Sequence, residues 1–431
     1  MSLDWATDSA QSYAQRLGRS AAVYVAFAQF PTNASEDTYL DQFIDQVRGQ
    51  GGLALLTLEP RVPLGEITPS MAATFGERLD AYNARGVPVI VRFAHEMNGS
   101  WYPWSQQPTD YVRAFRVLAA AVHERARSSA MLWAPNYGAG YPFEDTPGAR
   151  VAQPGTPDFQ VLDTNHDGVL DARDDMYAPY YPGDDAVDWV GMTLYHWGDS
   201  WPWGKNVVPE DGKFTAQLTG TYVGAGGDQR GLPNFYQVYA VGHGKPMAIP
   251  ETAAFYNTSV DGDPELSIKR AWWRQVFSAE LARQFPSIKM VNWFEWRKPE
   301  LEVGNALVDW TATLDPELRE AFVADLPVDR LLFGKGPEPQ TVDAVPGPPA
   351  PAAASGPAPE TTSVSAIPDG RRAIEFAGYA WRVRTASVLE GPGPNYFSDS
   401  PEHVWLDADG RLHLRVAPEP DGRWYAAEVT S

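Results

Sequence analysis

Seven short apolar runs, each parted from the next by a longer stretch, constrain this chain most. They lie at Ala21–Phe27, Leu53–Leu58, Val87–Phe93, Met131–Ala134, Val187–Leu194, Pro246–Pro250 and Ile288–Phe294. Between them fall amphipathic stretches such as Tyr39–Gly49, Ser70–Arg85, Tyr111–Ala126 and Ile268–Gln284, with Ser70 as an N-cap. Strands alternating with helices build a parallel sheet. Polar and aromatic residues gather at the C-terminal ends of these runs, and a (β/α)8 TIM barrel fits that best. Its count is one short: a helical pattern over Asp8–Leu17 precedes the first run, so the first strand is expected upstream of Met1 and missing from this sequence.

Three segments follow from composition. Residues 1–334 read as the α/β barrel domain. Residues 335–367 are rich in Pro, Ala and Ser without apolar period, and read as an extended linker. Residues 368–431 alternate apolar and polar, as in Ala380-Trp381-Arg382-Val383 and Leu412-His413-Leu414, around a turn at Asp409-Gly410. They read as a small all-β domain that stops in mid-strand, with exposed apolar residues expected among Trp381, Trp405 and Trp424.

The balance of 34 Lys+Arg against 55 Asp+Glu gives a net charge of −21. That argues against nucleic acid and anionic membranes as partners. The chain has no cysteine, which excludes disulfides and thiolate metal sites. Residues Met1 to Ala10 show no signal-peptide pattern, yet a secreted protein is expected, its leader cut away with the first strand.

The segment VIVRFAHEMNGSWYPW, Val89 to Trp104, ends an apolar run in Arg92, His95, Glu96, Asn98, Trp101, Tyr102 and Trp104. Aromatic faces stack on the apolar side of a pyranose, and carboxylates move the protons of glycosidic chemistry. A second carboxylate, Glu251, ends the run Met247–Pro250. Two carboxyl groups about 5–5.5 Å apart give hydrolysis with retention, one kept protonated and the other ionised. Arg92 can hold a carboxylate ionised. Asn98 either donates to a sugar hydroxyl or fixes its loop. Glu59, Glu295 and Glu300 are rival carboxylates. Tryptophan clusters at Trp101/Trp104 and Trp197/Trp201/Trp203 point to a binding cleft.

The stretch RFAHEMNGSWYPW resembles the signature of glycoside hydrolase family 26, which holds β-mannanases and some lichenases and xylanases. MLWAPN, YYPGDDAVDWVGMTLY, KPMAIPET and VNWFEW resemble its other blocks, over roughly residues 15–330. The resemblance implies a retaining endo-β-glycanase on a (β/α)8 barrel, with Glu96 as acid/base and Glu251 as nucleophile. It places His95 and Trp101 at the sugar subsite where cleavage occurs, and Tyr195 against the nucleophile. A tryptophan of VNWFEW, Trp293 first and Trp296 beside it, would be a sugar platform. Trp101-Tyr102-Pro103-Trp104 and Phe93-Ala94 depart from the mannan-cleaving pattern and shift the expectation from β-mannan toward mixed-linkage β-glucan. The tail segments FAGYAWRVR and GPGPNYFSDSPEHVWLDADGRLHLRV resemble the opening of a concanavalin-like β-sandwich.

Asp163, Asn165, Asp167, Val169, Asp171 and Asp174 sit at positions 1, 3, 5, 7, 9 and 12 of a calcium-loop pattern, with Gly168 at position 6. A structural Ca2+ is expected there and no cofactor in catalysis. The expected partner is a β-linked polysaccharide, with the chain a monomer. The competing reading is a non-catalytic polysaccharide-binding protein on a degenerate barrel. A zinc hydrolase is disfavoured, because His95-Glu96 lacks the second histidine of a zinc helix.

Overall fold

Parallel strands covered by helices are buried on both faces, which is why they read as near-continuous apolar runs. The computed structural model describes residues 1–335 and, beyond them, the backbone of seven strand segments between Ser363 and Val429. In the first part, strands β1 Ser2–Leu3, β2 Val23–Phe30, β3 Leu53–Pro60, β4 Val89–Phe93, β5 Ser129–Trp133, β6 Trp189–Gly191, β7 Met247–Thr252 and β8 Ile288–Glu295 close into a parallel barrel. Every run singled out in the sequence overlaps one of these strands.

The missing-strand expectation is corrected. Ser2 and Leu3 pair with Phe294 and Glu295 of β8, and Ser2 also pairs with Val25 of β2. Residues ahead of the first helix, Ala10–Leu17, therefore supply the eighth strand. Two residues are too short to show a period of two, and so gave no strand signal.

Inside the ring, Val25, Leu55, Ile90, Leu132, Ala248 and Met290 form one apolar layer from six strands. Side chains two residues further along point into the same space. Thr57 and Arg92 stand paired in register there, so polar chemistry begins directly above a dry floor.

The helices pack outside. Ala34–Gly49 is capped by Asn33, whose side chain accepts from Ser35 and Glu36. Pro69–Ala84 is capped by Thr68 instead of the expected Ser70; its side chain accepts from Met71 N–H, and Pro69 takes the N1 place. The stretch Ile268–Gln284 divides into Glu265–Val276 and Ala279–Gln284, with Ser278 capping the second. Among the described residues no helix is long and apolar enough to cross a membrane.

Contacts divide the chain into Met1–Gln340 and Thr341–Ser431. In the second unit, Ser363–Ala366, Arg372–Phe376, Tyr379–Thr385 and Val388–Glu390 form one antiparallel sheet. Val404–Leu406, Leu412–Arg415 and Ala426–Val429 form another. The first of these strands falls inside the stretch expected as linker. The rest of that linker from residue 336, the Asp409-Gly410 turn and the side chains of Trp381, Trp405 and Trp424 lie outside the described residues.

Candidate active site

Glu96 follows β4 and Glu251 ends β7, so the barrel brings them to its C-terminal mouth from opposite sides. Arg92, fully buried on β4, joins the two halves. Its guanidinium pairs with Glu251 Oε1, and its Nη2 donates to Thr193 Oγ1 at 2.6 Å. Tyr195 Oη donates to the other oxygen, Glu251 Oε2, at 2.9 Å. Both oxygens of Glu251 thus accept, one from a permanent cation, the setting of an ionised carboxylate.

Glu96 sits in the opposite environment. Burial and the nearby charge of Glu251 push its carboxyl up to about 7, against the opposing pull of Arg92, the Trp101 indole and the Thr193 hydroxyl. Trp101 Nε1 donates to Glu96 Oε2 at 2.9 Å. A third carboxyl faces the same space: Glu59, at the end of β3, is pushed up to about 7 by burial, by Glu251 and by Glu36. It is half-buried, in register with Gln29 of β2.

The backbone that delivers Glu96 is unusual. Ala94 and Glu96 have φ of 45° and 53°, in the left-handed region that non-glycine residues seldom occupy. Glu96 N–H is held by the Ala134 carbonyl at 3.1 Å. Gly99 is required for a different reason: a Cβ there would lie 2.5 Å from the Trp101 ring. The indole that touches Glu96 therefore rests on a residue without a side chain.

Several sequence expectations are corrected. Trp293 is no platform: it points out of the barrel into Trp273, Phe277 and Phe322, and its Nε1 donates to the Trp310 carbonyl at 2.9 Å. Residues alternate across β8, so Phe294 faces the site and Trp293 cannot. Trp296, half-buried, instead stacks on Phe294 at 5.5 Å and 7°, and Phe294 meets Tyr195 edge-on at 5.9 Å. Trp104 is 4% exposed, donates to the His95 carbonyl and is stacked under Tyr102 at 4.4 Å. It supports the cleft wall and cannot offer a face to sugar.

Asn98 is buried and clasps the loop after β5: its Nδ2 donates to the Asn136 carbonyl and its Oδ1 accepts from Asn136 N–H, both at 2.8 Å. Both ends of its amide are thus engaged by the loop that it fixes. His95, 1% exposed, turns its Nε2 to Tyr102 Oη at 3.0 Å and its ring against Phe27. Burial and Arg92 push its pKa well below the ordinary histidine value, so the imidazole is neutral. It props Tyr102 from a buried position; Arg92, fully buried too, is engaged with Glu251.

Trp101, Tyr102, Tyr195 and Trp296 are half-buried and line the mouth. Glu295 turns away, accepting from Ala312 N–H and Thr313 Oγ1. Glu300 accepts from Trp310 Nε1. Neither competes for the site. Sequence reasoning missed Thr193 and Phe27; Thr193 lies two residues before Tyr195, the spacing that puts side chains on one face of a strand.

The calcium-loop residues lie together on the loop that follows β5. Their donors suit calcium in kind: carboxylates, an amide oxygen and the Val169 carbonyl. Their oxygens, however, serve the loop itself. Asp163 accepts from Asp167 and Gly168 N–H, Asn165 from Asp167, and Asp174 from Thr164 and Asp171. Arg173 pairs with Asp167 and Asp171. Among the described residues no group of three or more His, Asp or Glu is gathered as metal ligands.

A parallel barrel thus carries two carboxyl groups in contrasting environments at its mouth, walled by tryptophan and tyrosine, the parts that acid-assisted cleavage of a glycosidic bond needs. Residues 66–150 match the profile described as Glycosyl hydrolase family 26. Endoglucanase H of Acetivibrio thermocellus is 22% identical over 321 residues, 72% of this chain. The chain spans 28% of the length of that curated relative. Among solved structures, the catalytic domain of a Bacillus sp. JAMB-750 endo-β-1,4-mannanase has a TM-score of 0.43 at 18% identity, covering 77% of this chain and 82% of that one. A modular endo-β-1,4-mannanase from Cellulomonas fimi has a TM-score of 0.43 at 17% identity, covering 97% and 83%.

Proposed function

We propose that the chain is a retaining endo-β-glycanase acting on β-mannan or mixed-linkage β-glucan. The observation that carries this reading is the contrast between the two carboxyl groups. Glu251 accepts from Arg92 and Tyr195 on its two oxygens, while burial beside Glu251 keeps a proton on Glu96. In the first step a Glu251 oxygen bonds to the anomeric carbon and the glycosidic C–O bond breaks. Glu96 gives its proton to the departing oxygen. In the second step the Glu96 carboxylate takes a proton from water, whose oxygen displaces Glu251 from the sugar. Stereochemistry inverts twice and is retained.

Support for the substrate class comes from the half-buried aromatic walls and from a relative named as an endoglucanase. The test is reducing-sugar release from mannan, mixed-linkage glucan and xylan, with proton NMR of the first-formed anomer. An α-anomer from a β-linked substrate, or no cleavage of any of them, overturns the reading.

The raised Glu96 carboxyl sets a pH dependence. It is protonated below about 7 and loses its proton above, so kcat/KM on polysaccharide is expected to fall as pH rises through that value. On an aryl glycoside with a good leaving group, which needs no proton, the alkaline limb should flatten. An identical limb on both substrates would assign it to another group, Glu59 first.

We propose also that the loop 163–174 takes a structural Ca2+, on the strength of its donor spacing, with Arg173 displaced from Asp167 and Asp171. Calcium at a hundredfold excess over Kd would then stabilise the fold by about 2.7 kcal/mol, read as a rise in Tm that Asp163→Ala with Asp167→Ala removes. A wild-type Tm indifferent to calcium and to chelator would leave the loop an acidic turn.

A further inference from the structure

The tryptophans at 197, 201 and 203, on the loop that leaves β6, take no part in the chemistry above. Their rings nevertheless form a continuous row that starts at the site. Tyr195, whose hydroxyl holds Glu251, lies edge-on to Trp197 with centroids 6.5 Å apart. Trp197 lies 6.4 Å from Trp203 at an interplanar angle of 32°, and Trp203 lies 5.8 Å from Trp201 at 86°. Behind Trp197 stand Trp310 at 4.8 Å and Phe255 at 5.8 Å, on segments that follow β8 and β7. The inner end of the row is therefore fixed by packing, and the outer end is bare: Trp203 is half-buried and Trp201 is 43% exposed.

An indole left this exposed gains little from the core and leaves apolar area in water, the mark of a surface meant to be covered. The row's continuity with the carboxylate site indicates what covers it. A polysaccharide held between Glu96 and Glu251 extends beyond the bond being cleaved, and flat aromatic faces suit the apolar faces of its pyranose rings. Ser200 and Lys205, both exposed beside the rings, can reach hydroxyl groups at the rim. We propose that Trp201 and Trp203 form a distal sugar-binding subsite on the Glu251 side of the cleft, taking β-linked pyranose units remote from the cleavage point. This rests on the endo-β-glycanase reading.

The test compares wild type with Trp201→Ala/Trp203→Ala on β-mannan and β-glucan oligosaccharides of increasing length and on a short aryl glycoside. A distal subsite predicts that wild-type kcat/KM rises with chain length and that the double variant flattens this rise. Its loss on polysaccharide should exceed its loss on the aryl glycoside about tenfold, mostly in KM. Trp201→Phe, which keeps a flat face, should recover most of the difference. Equal length dependence in wild type and double variant, with melting curves matched, overturns the proposal. Affinity electrophoresis in gels containing galactomannan or mixed-linkage glucan reads the subsite without turnover. Retardation of wild type and not of the variant supports it even if no glycan is cleaved, the outcome that would defeat the parent reading. Equal mobility of the two in both gels counts against it.

Discussion

Glu251→Ala is expected to abolish hydrolysis, with kcat down by on the order of 10^4-fold or more, as when the nucleophile of a covalent mechanism is removed. Added azide should then restore cleavage and yield an α-glycosyl azide. The azide fills the space of the lost carboxylate, attacks the anomeric carbon from that side, and leaves after one inversion instead of two. The same substitution strips the buried Arg92 of its carboxylate partner, and orphaning a buried charge costs about 3–5 kcal/mol. Glu251→Gln keeps acceptor and shape and separates lost chemistry from lost fold. Wild-type rates in a folded Glu251→Gln would remove this residue from the nucleophile's role.

Glu96→Ala should divide substrates by leaving group. Polysaccharide, whose departing oxygen needs a proton, is expected to lose about 10^2–10^4-fold. An aryl glycoside with an acidic phenol should keep its first step and accumulate the glycosyl-enzyme, because the base that activates water is gone. Azide would then raise the aryl rate and give a β-azide, opposite in configuration to the product of the Glu251 variant. Equal losses on both substrates would assign Glu96 a role in binding.

Much of the barrel was legible because parallel strands announce themselves as apolar runs, and all seven runs became strands. The eighth was illegible for a physical reason: Ser2–Leu3 is held by its neighbours' pairing, not by any pattern of its own. The carboxylates were legible from their place at strand ends. Which neighbouring rings keep an open face was not, because residue type does not say which face of a ring is covered. Trp104 and Trp293 are as aromatic as Trp296, yet one lies beneath Tyr102 and the other under a helix. Asn98 could have served sugar or loop, and its tie to the loop is seen only in the paired bonds with Asn136. Alternation along β8 could have separated Trp293 from Phe294 had the inward face been known.

The ring is fastened by a clasp two residues long. β1 holds β8 by two residue pairs and β2 by one, while β2 and β3 are matched along eight. Were the ring to breathe, it would part first at that clasp. Glu96 and Glu251 are spared the consequence. They sit on β4 and β7, joined the short way round by the β4–β5, β5–β6 and β6–β7 seams, with the clasp on the longer arc. Arg92 and Thr193 span that short arc from within, like a strut across a bow. The β5–β6 and β6–β7 seams on that arc are themselves only two residue pairs each, so the gap between the two carboxyl groups is held by this side-chain strut more than by backbone pairing.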